Sequence, residues 1–347
     1  MNKPRISIVV GNGLSMSFGH FSGLAHIWNS QEPLSWPIKC PSQIHNFLDS
    51  LHRLKALHDK YIDEPDFDVF AKTLDRAICR QLGLDPFITP LEARHFLTIA
   101  FSHYSNEQVK KLNICKEWSW YRWFKLHKDN ITSAFSLNYD LLLESTFDDI
   151  ALQYYSLQVN HHGYGIPLVK PHGSVDFEIH PSSISYSPEY PLTNFVDLNN
   201  TPIIRLDSSQ LIYPRSQPLC IIPNESNKYS NYQWVAPANQ WFNEEVSKCT
   251  HCIFIGISYF ECDRAELDSI LNEVPDDAQI IIANPSPPPE FMEKVKGRPV
   301  MVWNSYDGPI DSKGNVFGLK DIKTGNLLRN CFCRSGLSYQ YCCGAKL

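Results

Sequence analysis

Short apolar runs, each followed by small or polar residues, recur along the chain and predict the strands of a β-sheet. The clearest covers residues 131–137, and its continuous burial pattern is typical of a central strand in a parallel sheet. Similar runs are found at 6–10, 168–169, 252–258, 278–283 and 300–303. Helical patterns separate most of these runs. The alternation predicts an α/β fold with a Rossmann-like parallel sheet and helices on both faces.

Two long segments interrupt this alternation. Residues 42–128 keep apolar residues at helical spacing and predict a helical insertion or lid. Residues 178–237 are rich in Pro, Ser, Asn and Tyr and predict an irregular insertion over the edge of the sheet. We therefore assign residues 1–305 to one α/β domain, 306–328 to a polar linker and 329–347 to a separate C-terminal module.

Composition narrows the classes of protein. A length of 347 residues with 43% hydrophobic content indicates a globular chain with a buried core. The net charge of −6 makes nucleic acid an unlikely direct partner, because general binding to phosphate backbones requires basic surface. No apolar run has membrane-spanning length and no signal-peptide pattern opens the chain. We expect a cytoplasmic protein without membrane contact.

Candidate chemistry sits where the predicted strands end. Asn138 and Asp140 follow the strand at 131–137, and ligands of open α/β sheets bind at the carboxyl ends of strands. The same position is occupied after the other strands by the residues Gly11, Asn12, Gly13, Ser15, His172, Gly256, Ser258, Asp263 and Asn284.

Each of these signals has a plainer interpretation. A glycine turn lets backbone N–H groups approach a phosphate, but a lone strand–GxG turn is more often only a tight turn. Gly11, Gly13 and Gly19 do not fit the spacing G-x-G-x-x-G, which disfavours a dehydrogenase. His172 beside a glycine is commonly a turn residue, and Asn284 is equally suited to capping a turn.

The cysteines predict a metal site in the tail. The chain has eleven cysteines, and the last seventeen residues hold Cys331, Cys333, Cys342 and Cys343. Four thiolates at this spacing suit tetrahedral zinc, which would supply the folding energy of so short a module. Four protein ligands leave no open position, so we expect a structural zinc in a module that docks a partner. Cys249 and Cys252 are better explained as core thiols.

Taken in order, the strand-end motifs resemble the SIR2-like, sirtuin-related NAD-binding domain, and most of all its bacterial branch, which includes NAD hydrolases of phage defence. The resemblance spans about residues 5–305. It rests on Gly11-Asn12-Gly13-Leu14-Ser15, Leu137-Asn138-Tyr139-Asp140, Lys170-Pro171-His172-Gly173-Ser174, Ile255-Gly256-Ile257-Ser258 with Asp263, and Ile282-Ala283-Asn284-Pro285. The tail from Cys331 to Gly344 is similar to the SEC-C zinc motif.

The resemblance implies NAD as substrate and a role for each motif. The glycine loop and Ser15 would face the phosphates, and Gly256, Ser258 and Asn284 the adenosine half, with Asp263 also at the NAD site. Asn138, Asp140 and His172 would surround the nicotinamide ribose. Sirtuin deacylases carry a four-cysteine zinc module soon after the histidine–glycine element, where this chain has only Cys220. NAD cleavage is therefore the simpler activity.

We accordingly predict an NAD+ hydrolase that releases nicotinamide and ADP-ribose, with His172 as general base because imidazole titrates near neutrality. One alternative is an NAD-dependent protein deacylase. Another is a non-catalytic nucleotide sensor that docks a partner through its zinc tail. The family likeness implies anti-phage defence. An NADase also needs an inactive resting state, so a homo-oligomer or a regulatory partner is expected.

Overall fold

The computed structural model confirms the Rossmann-like parallel sheet. Seven strands form it, and every neighbouring pair within it runs parallel. The structure describes residues 3–41, 44–159, 163–180, 202–213, 215, 218–224, 232–304, 308–310 and 314–317.

Six strands coincide with the predicted apolar runs, whereas β3 and β5 were not predicted. The ten strands of the described residues are β1 (Ile6–Val10), β2 (Ile131–Ser136), β3 (Tyr154–Ser156), β4 (Ile166–Val169), β5 (Gly173–Ile179), β6 (Ile203–Arg205), β7 (Pro218–Cys220), β8 (His251–Ile255), β9 (Gln279–Ala283) and β10 (Val300–Trp303). The order in the large sheet is β10-β9-β8-β1-β2-β4-β3. The chain builds one half outward from β1 and then crosses to the other side. A crevice therefore opens at the carboxyl ends of β1 and β8, where ligands of doubly wound sheets bind.

Ten α-helices accompany the strands in the described part of the chain. They are α1 (Gly13–Ser22), α2 (His52–Lys60), α3 (Asp66–Lys72), α4 (Arg76–Gln81), α5 (Ile88–Leu112), α6 (Ser119–His127), α7 (Leu142–Asp149), α8 (Ala236–Val246), α9 (Arg264–Glu273) and α10 (Pro289–Lys294).

The sheet separates two apolar cores. Alternate residues of a strand point to opposite faces, so Ile8 packs with α1, α6 and α7, while Val9 packs with α8, α9 and α10. All five residues of β1 are buried, Ser7 among them, which explains why the other four are apolar. The layered arrangement follows directly, since a sheet that is apolar on both faces must be covered on both.

The helical block between β1 and β2 has a core of its own. Helices α2, α3 and α5 enclose it with residues such as Leu54, Phe70 and Phe96, and the described residues from 44 to 130 contain no strand. The helix α5 also contacts α1, because Tyr104 Oη donates a hydrogen bond of 3.3 Å to the carbonyl of Ser15. The block is thus anchored beside the crevice.

The segment 178–237 is less irregular than its composition predicts. It contains β6 and β7, which pair antiparallel with β5 in a second, three-stranded sheet. These strands overlap short extended runs at 202–206 and 219–222, but with three residues each they are too short for periodicity to predict their pairing. Close packing explains the glycine that opens β5. Gly173 has φ +79°, and a Cβ there would lie 1.6 Å from the carbonyl oxygen of Leu219.

The described part of the predicted linker packs against the α/β domain. Phe317 is buried, its ring lies 5.6 Å from that of Trp303, and its carbonyl oxygen lies 2.9 Å from His127 Nε2. Phe317 therefore belongs to the same apolar core as Trp303. The predicted zinc ligands lie outside the described residues. No helix in the described portion has the length and apolar character needed to cross a membrane.

Candidate active site

A cavity of about 720 Å³ opens at the carboxyl edge of the large sheet. Four strand ends contribute to its lining: Gly11 and Asn12 after β1, the turn 137–140 after β2, His172 after β4, and Ser258 with residues 260–263 after β8. Asn138 and His172, which are remote in the chain, thus line one cavity at one rim of the sheet.

Asn138 is held by the turn that follows β1. Its side-chain Nδ2 donates to the Gly11 carbonyl at 3.1 Å and to Ser15 Oγ at 3.2 Å. The residue is 9% exposed and lines the cavity. No described group donates a hydrogen bond to its Oδ1. That oxygen is the amide atom available to a ligand, while the two N–H groups fix the plane of the side chain.

Asp140 and Ser15 complete a buried polar cluster with Asn138. Ser15 Oγ donates a short hydrogen bond of 2.6 Å to Asp140 Oδ2, and the Leu142 backbone N–H donates to Asp140 Oδ1 at 3.1 Å. Ser15 is fully buried and Asp140 is 3% exposed, although Asp140 still touches the cavity. Asp140 therefore orients its neighbours and places negative charge near the cavity.

His172 is oriented through its Nδ1 atom. Nδ1 lies 3.3 Å from the Leu137 carbonyl, which can only accept, so this contact requires the proton on Nδ1. In the neutral ring Nε2 is then the basic atom. Nε2 lies 3.8 Å from Asp263 Oδ1, too far for a direct hydrogen bond. The pair can share a water or a hydroxyl group, as a general base requires.

The thiol of Cys262 also faces this end of the cavity. Cys262 Sγ donates to Asp263 Oδ1 at 3.3 Å. Burial, together with the negative charge of Asp263, raises the pKa of Cys262 far above that of an ordinary thiol. A thiol in such surroundings stays protonated, and only the thiolate is a good nucleophile. Cys262 is therefore a neutral donor to Asp263.

The glycine turns of β1 and β8 pack backbone against backbone. Gly11 N donates to the Ile255 carbonyl and Gly13 N to the Gly256 carbonyl, both at 2.9 Å. A Cβ on Gly13 would lie 2.4 Å from the Gly256 Cα atom. These two N–H groups are already committed within the protein. The glycines therefore bring the turns together, and a phosphate would be met by other groups of the turn, such as Asn12.

A buried ion pair supports the 138–140 turn. Lys170 Nζ donates to Glu144 Oε1 at 2.8 Å and to the Asp140 carbonyl at 2.6 Å. Burial raises the pKa of Glu144, and the charge of Lys170 opposes that rise. Sequence reasoning did not single out Lys170 as functional. A lysine directly after the apolar run 166–169 was the available signal, because a buried lysine needs an acidic partner.

The remaining walls come from outside the sheet edge. Phe67 and Asp68 of the helical block, Phe101 of α5, Glu32, and residues 221–224 after β7 line the cavity. Sequence analysis missed these residues because they lie far from any strand end. Among the described lining residues there is no lysine or arginine, whereas five carboxylates are present: Glu32, Asp68, Asp140, Glu261 and Asp263. The cavity thus combines apolar surface with negative charge.

Some predicted binding residues lie beside the cavity without lining it. Ser15 is buried behind Asn138, and Gly13 and Gly256 pack on each other. Asn284 donates through Nδ2 to the Ile257 carbonyl at 2.8 Å and accepts from the Ser286 N–H at 2.9 Å. It fixes the turn that leads to Ser258, which does line the cavity. The predicted residues that do line the cavity are Gly11, Asn12, Asn138, Asp140, His172, Ser258 and Asp263.

The described residues contain no group of three or more His, Cys, Asp or Glu side chains arranged to hold a metal ion. The predicted ligands Cys331, Cys333, Cys342 and Cys343 are outside these residues. No disulfide joins the described cysteines, Cys249 and Cys252 among them.

Comparison with known proteins identifies similar solved structures. No family model matches the chain, and a comparison with curated proteins gave no match. A Sir2 homologue mutant in complex with ADP-ribose is 11% identical, with a TM-score of 0.40 over 88% of each chain. A structure that addresses the structural basis of sirtuin substrate affinity is 12% identical, with a TM-score of 0.38 over 88% of this chain and 90% of that one. Sir2Tm bound to a propionylated peptide is 11% identical, with a TM-score of 0.34 over 88% and 89%.

Proposed function

We propose that this protein hydrolyses NAD+ at the bond between nicotinamide and ribose, releasing nicotinamide and ADP-ribose. The observation that carries the proposal is the convergence of Asn138 and His172, which line one cavity at the carboxyl edge of a parallel sheet. Their order among the strand-end motifs, which resembles that of SIR2-like domains, supports NAD as the nucleotide.

The charge of the cavity suits one half of this substrate. The nicotinamide ring of NAD+ is cationic and planar, and the cavity offers carboxylates beside the aromatic side chains Phe67 and Phe101. The diphosphate is an anion, and the described lining offers it no basic side chain. We assign it to Asn12 and the N-terminal end of α1, where the helix dipole is positive.

The reaction needs an attacking water and a stabilised cation. Cleavage of the glycosidic bond transfers its electron pair to nicotinamide and leaves positive charge on the ribose. Asn138 Oδ1 orients the water or a ribose hydroxyl, and Asp140 and Asp263 stabilise the developing cation. Water adds to the ribose carbon and gives its proton to His172 Nε2. The Nδ1–H group of His172 remains hydrogen-bonded to the Leu137 carbonyl throughout. The balance is NAD+ and water to nicotinamide, ADP-ribose and a proton.

Purified protein incubated with NAD+ and assayed for free nicotinamide tests the proposal. We expect turnover in the wild type and a loss of about 100-fold or more in His172→Ala and Asn138→Ala, since removing a general base or a positioning group typically costs that much. The exposed residues His26 and Asn113 provide matched controls, His26→Ala and Asn113→Ala. Unchanged turnover in both site variants would reject this site.

The same assay separates the alternatives. A protein deacylase releases nicotinamide only when an acyl-lysine peptide is added, whereas a hydrolase needs only water. A non-catalytic sensor binds NAD+ saturably without releasing nicotinamide. A role in anti-phage defence and control by a homo-oligomer or a regulatory partner belong to the hydrolase proposal, as does the cytoplasmic location.

The structural zinc of the tail remains a prediction from the spacing of Cys331, Cys333, Cys342 and Cys343. Metal analysis of the full chain, compared with a chain ending at residue 328, tests it. We expect one zinc per full chain and none in the shortened one.

A further inference from the structure

One buried ammonium group joins three segments beneath the cavity. Lys170 follows β4, Glu144 lies in the first turn of α7, and Asp140 ends the turn after β2. The Lys170 and Glu144 side chains are 1% and 4% exposed, and Lys170 Nζ bonds both Glu144 Oε1 and the Asp140 carbonyl. The contact between the segments therefore runs through charged atoms removed from water.

Stability alone gives little reason for such a pair. Removing two charges from water is costly, and replacing a buried ion pair by apolar side chains of similar volume is often neutral or stabilising. Glu144 Oε2 has no hydrogen-bond partner within the described residues, so the pair is not even fully satisfied. The geometry of the pair indicates a different role. The Lys170 ammonium group donates to the backbone carbonyl of Asp140, which an apolar side chain at position 170 would leave without a donor.

That carbonyl belongs to the turn that presents Asn138, and Lys170 is two residues from His172. A second link to the turn that presents Asn138 is the hydrogen bond of 3.0 Å from the Val175 N–H of β5 to the Tyr139 carbonyl. We propose that Lys170, held by Glu144, is a positioning residue that sets the placement of Asn138 relative to His172. The role in turnover rests on the proposed hydrolase function, whereas the effect on the turn does not.

The test replaces the ion pair by apolar residues, in the double variant Lys170→Met/Glu144→Leu. We expect the variant to fold with a melting temperature lowered by only about 5–10 °C, because no charge is left buried alone although the Asp140 carbonyl loses its donor. Nicotinamide release should fall about 100-fold, since a displacement of about 1 Å in a catalytic group can cost that much. Amide hydrogen exchange across residues 138–142 of the ligand-free protein should be about tenfold faster.

A matched control removes a second ion pair with the same change in charge. Arg53 and Glu92 lie in the helical block, 2.8 Å apart, and neither lines the cavity. Arg53→Met/Glu92→Leu should leave exchange across 138–142 and nicotinamide release as in the wild type. If the apolar double variant fails to fold, Lys170→Gln/Glu144→Gln keeps a polar pair that is too short to bond the Asp140 carbonyl. It should show the same changes to a smaller degree.

Wild-type exchange across 138–142 in the folded variant would overturn the positioning role, whatever happens to turnover. Faster exchange with undiminished turnover would overturn it as well. A wild type that releases no nicotinamide would reject the hydrolase function instead. Exchange alone would then decide whether Lys170 holds the turn.

Discussion

Asn138 and Asp140, which line the cavity, are joined by hydrogen bonds through Ser15 behind it. Ser15 Oγ accepts from Asn138 Nδ2 at 3.2 Å and donates to Asp140 Oδ2 at 2.6 Å. The serine hydroxyl thus serves as acceptor and donor at once. Ser15 is fully buried, so water has no access to take over these hydrogen bonds if the hydroxyl is removed. The amide plane of Asn138 depends on a residue that does not touch the ligand.

Ser15→Ala should lower the rate of nicotinamide release about tenfold, because Asn138 loses one of two groups that orient it. The free energy of unfolding should decrease by about 1–3 kcal/mol, as expected when a buried hydrogen bond to a carboxylate is lost. Steady-state kinetics and urea unfolding measure the two effects. Ser17→Ala is the control, because Ser17 lies on the same helix as Ser15 and its Oγ accepts a hydrogen bond from Trp118 Nε1, outside the cavity. Equal rates in the two variants would contradict this role for Ser15.

Residue types predicted the polar chemistry of the rim but not the direction of each side chain. Asn138, Asp140 and His172 were identified because they follow strands, and strand ends meet at one edge. Ser15 follows a strand equally well, yet it points into the protein towards Asp140. Lys170 belongs to the same motif as His172, but its role depends on Glu144 in another element. Such pairings become visible only in three dimensions.

At the level of elements, the turns after β1 and β8 are joined through Gly13 and Gly256. Gly256 has φ +59°, which glycine adopts without strain, and a Cβ on it would lie 2.3 Å from Gly13 Cα. Two elements separated by more than two hundred residues therefore depend on the absence of side chains. The crevice of the sheet is formed at this contact.

Gly13→Ala should destabilise the fold by about 3 kcal/mol or more, because the added methyl group meets the backbone of Gly256. Gly19 of the same helix is the matched control. Its Cβ would meet only Ala25 and Tyr104 at 3.6 Å, which is ordinary contact. Gly19→Ala should be neutral or stabilising by up to about 1 kcal/mol through helix propensity. Chemical denaturation of both variants checks this, and equal stabilities would contradict it.

The helix α5 carries a histidine that links stability to pH. Burial, and next the charge of Arg94, lower the pKa of His95 from 6.5 to about 4. Between these values the unfolded chain binds a proton that the folded protein does not. The stability that depends on neutral His95 is therefore fully present above pH 6.5. It is lost as pH falls towards 4, and the free energy of unfolding decreases by up to about 1.4 kcal/mol per pH unit. His95→Gln should reduce that slope in unfolding experiments at pH 4–7; an unchanged slope would contradict the assignment.

For the whole molecule, local patterns predicted the layers, and long-range packing determined the cavity. Runs of mainly apolar and small residues marked the buried strands β1, β2, β8 and β9, because both faces of each are covered. The small sheet of β5, β6 and β7 gave a weaker signal, since its short strands depend on pairing rather than on periodicity. No sequence pattern predicted that the helical block packs beside the crevice, because local patterns do not encode which distant surfaces meet.

That placement gives the helical block a share in binding. Phe67 lines the cavity from the helix α3, and its ring lies 5.9 Å from that of Phe70 and 6.4 Å from that of Phe101. It packs against the core of the helical block, whereas Asn138 and His172 are held by hydrogen bonds to Gly11, Ser15 and Leu137. A residue in this position can contribute binding energy in the ground state and the transition state alike.

Phe67→Ala should therefore raise the KM for NAD+ about tenfold and leave kcat within about twofold, because uniform binding energy is lost while the reacting groups stay in place. Phe87→Ala is the control: Phe87 lies in the same helical block, is 60% exposed and does not line the cavity. Steady-state kinetics of nicotinamide release separate the two parameters. A fall in kcat with an unchanged KM would show that the helical block acts on the chemistry, and an unchanged KM and kcat would remove Phe67 from the binding site.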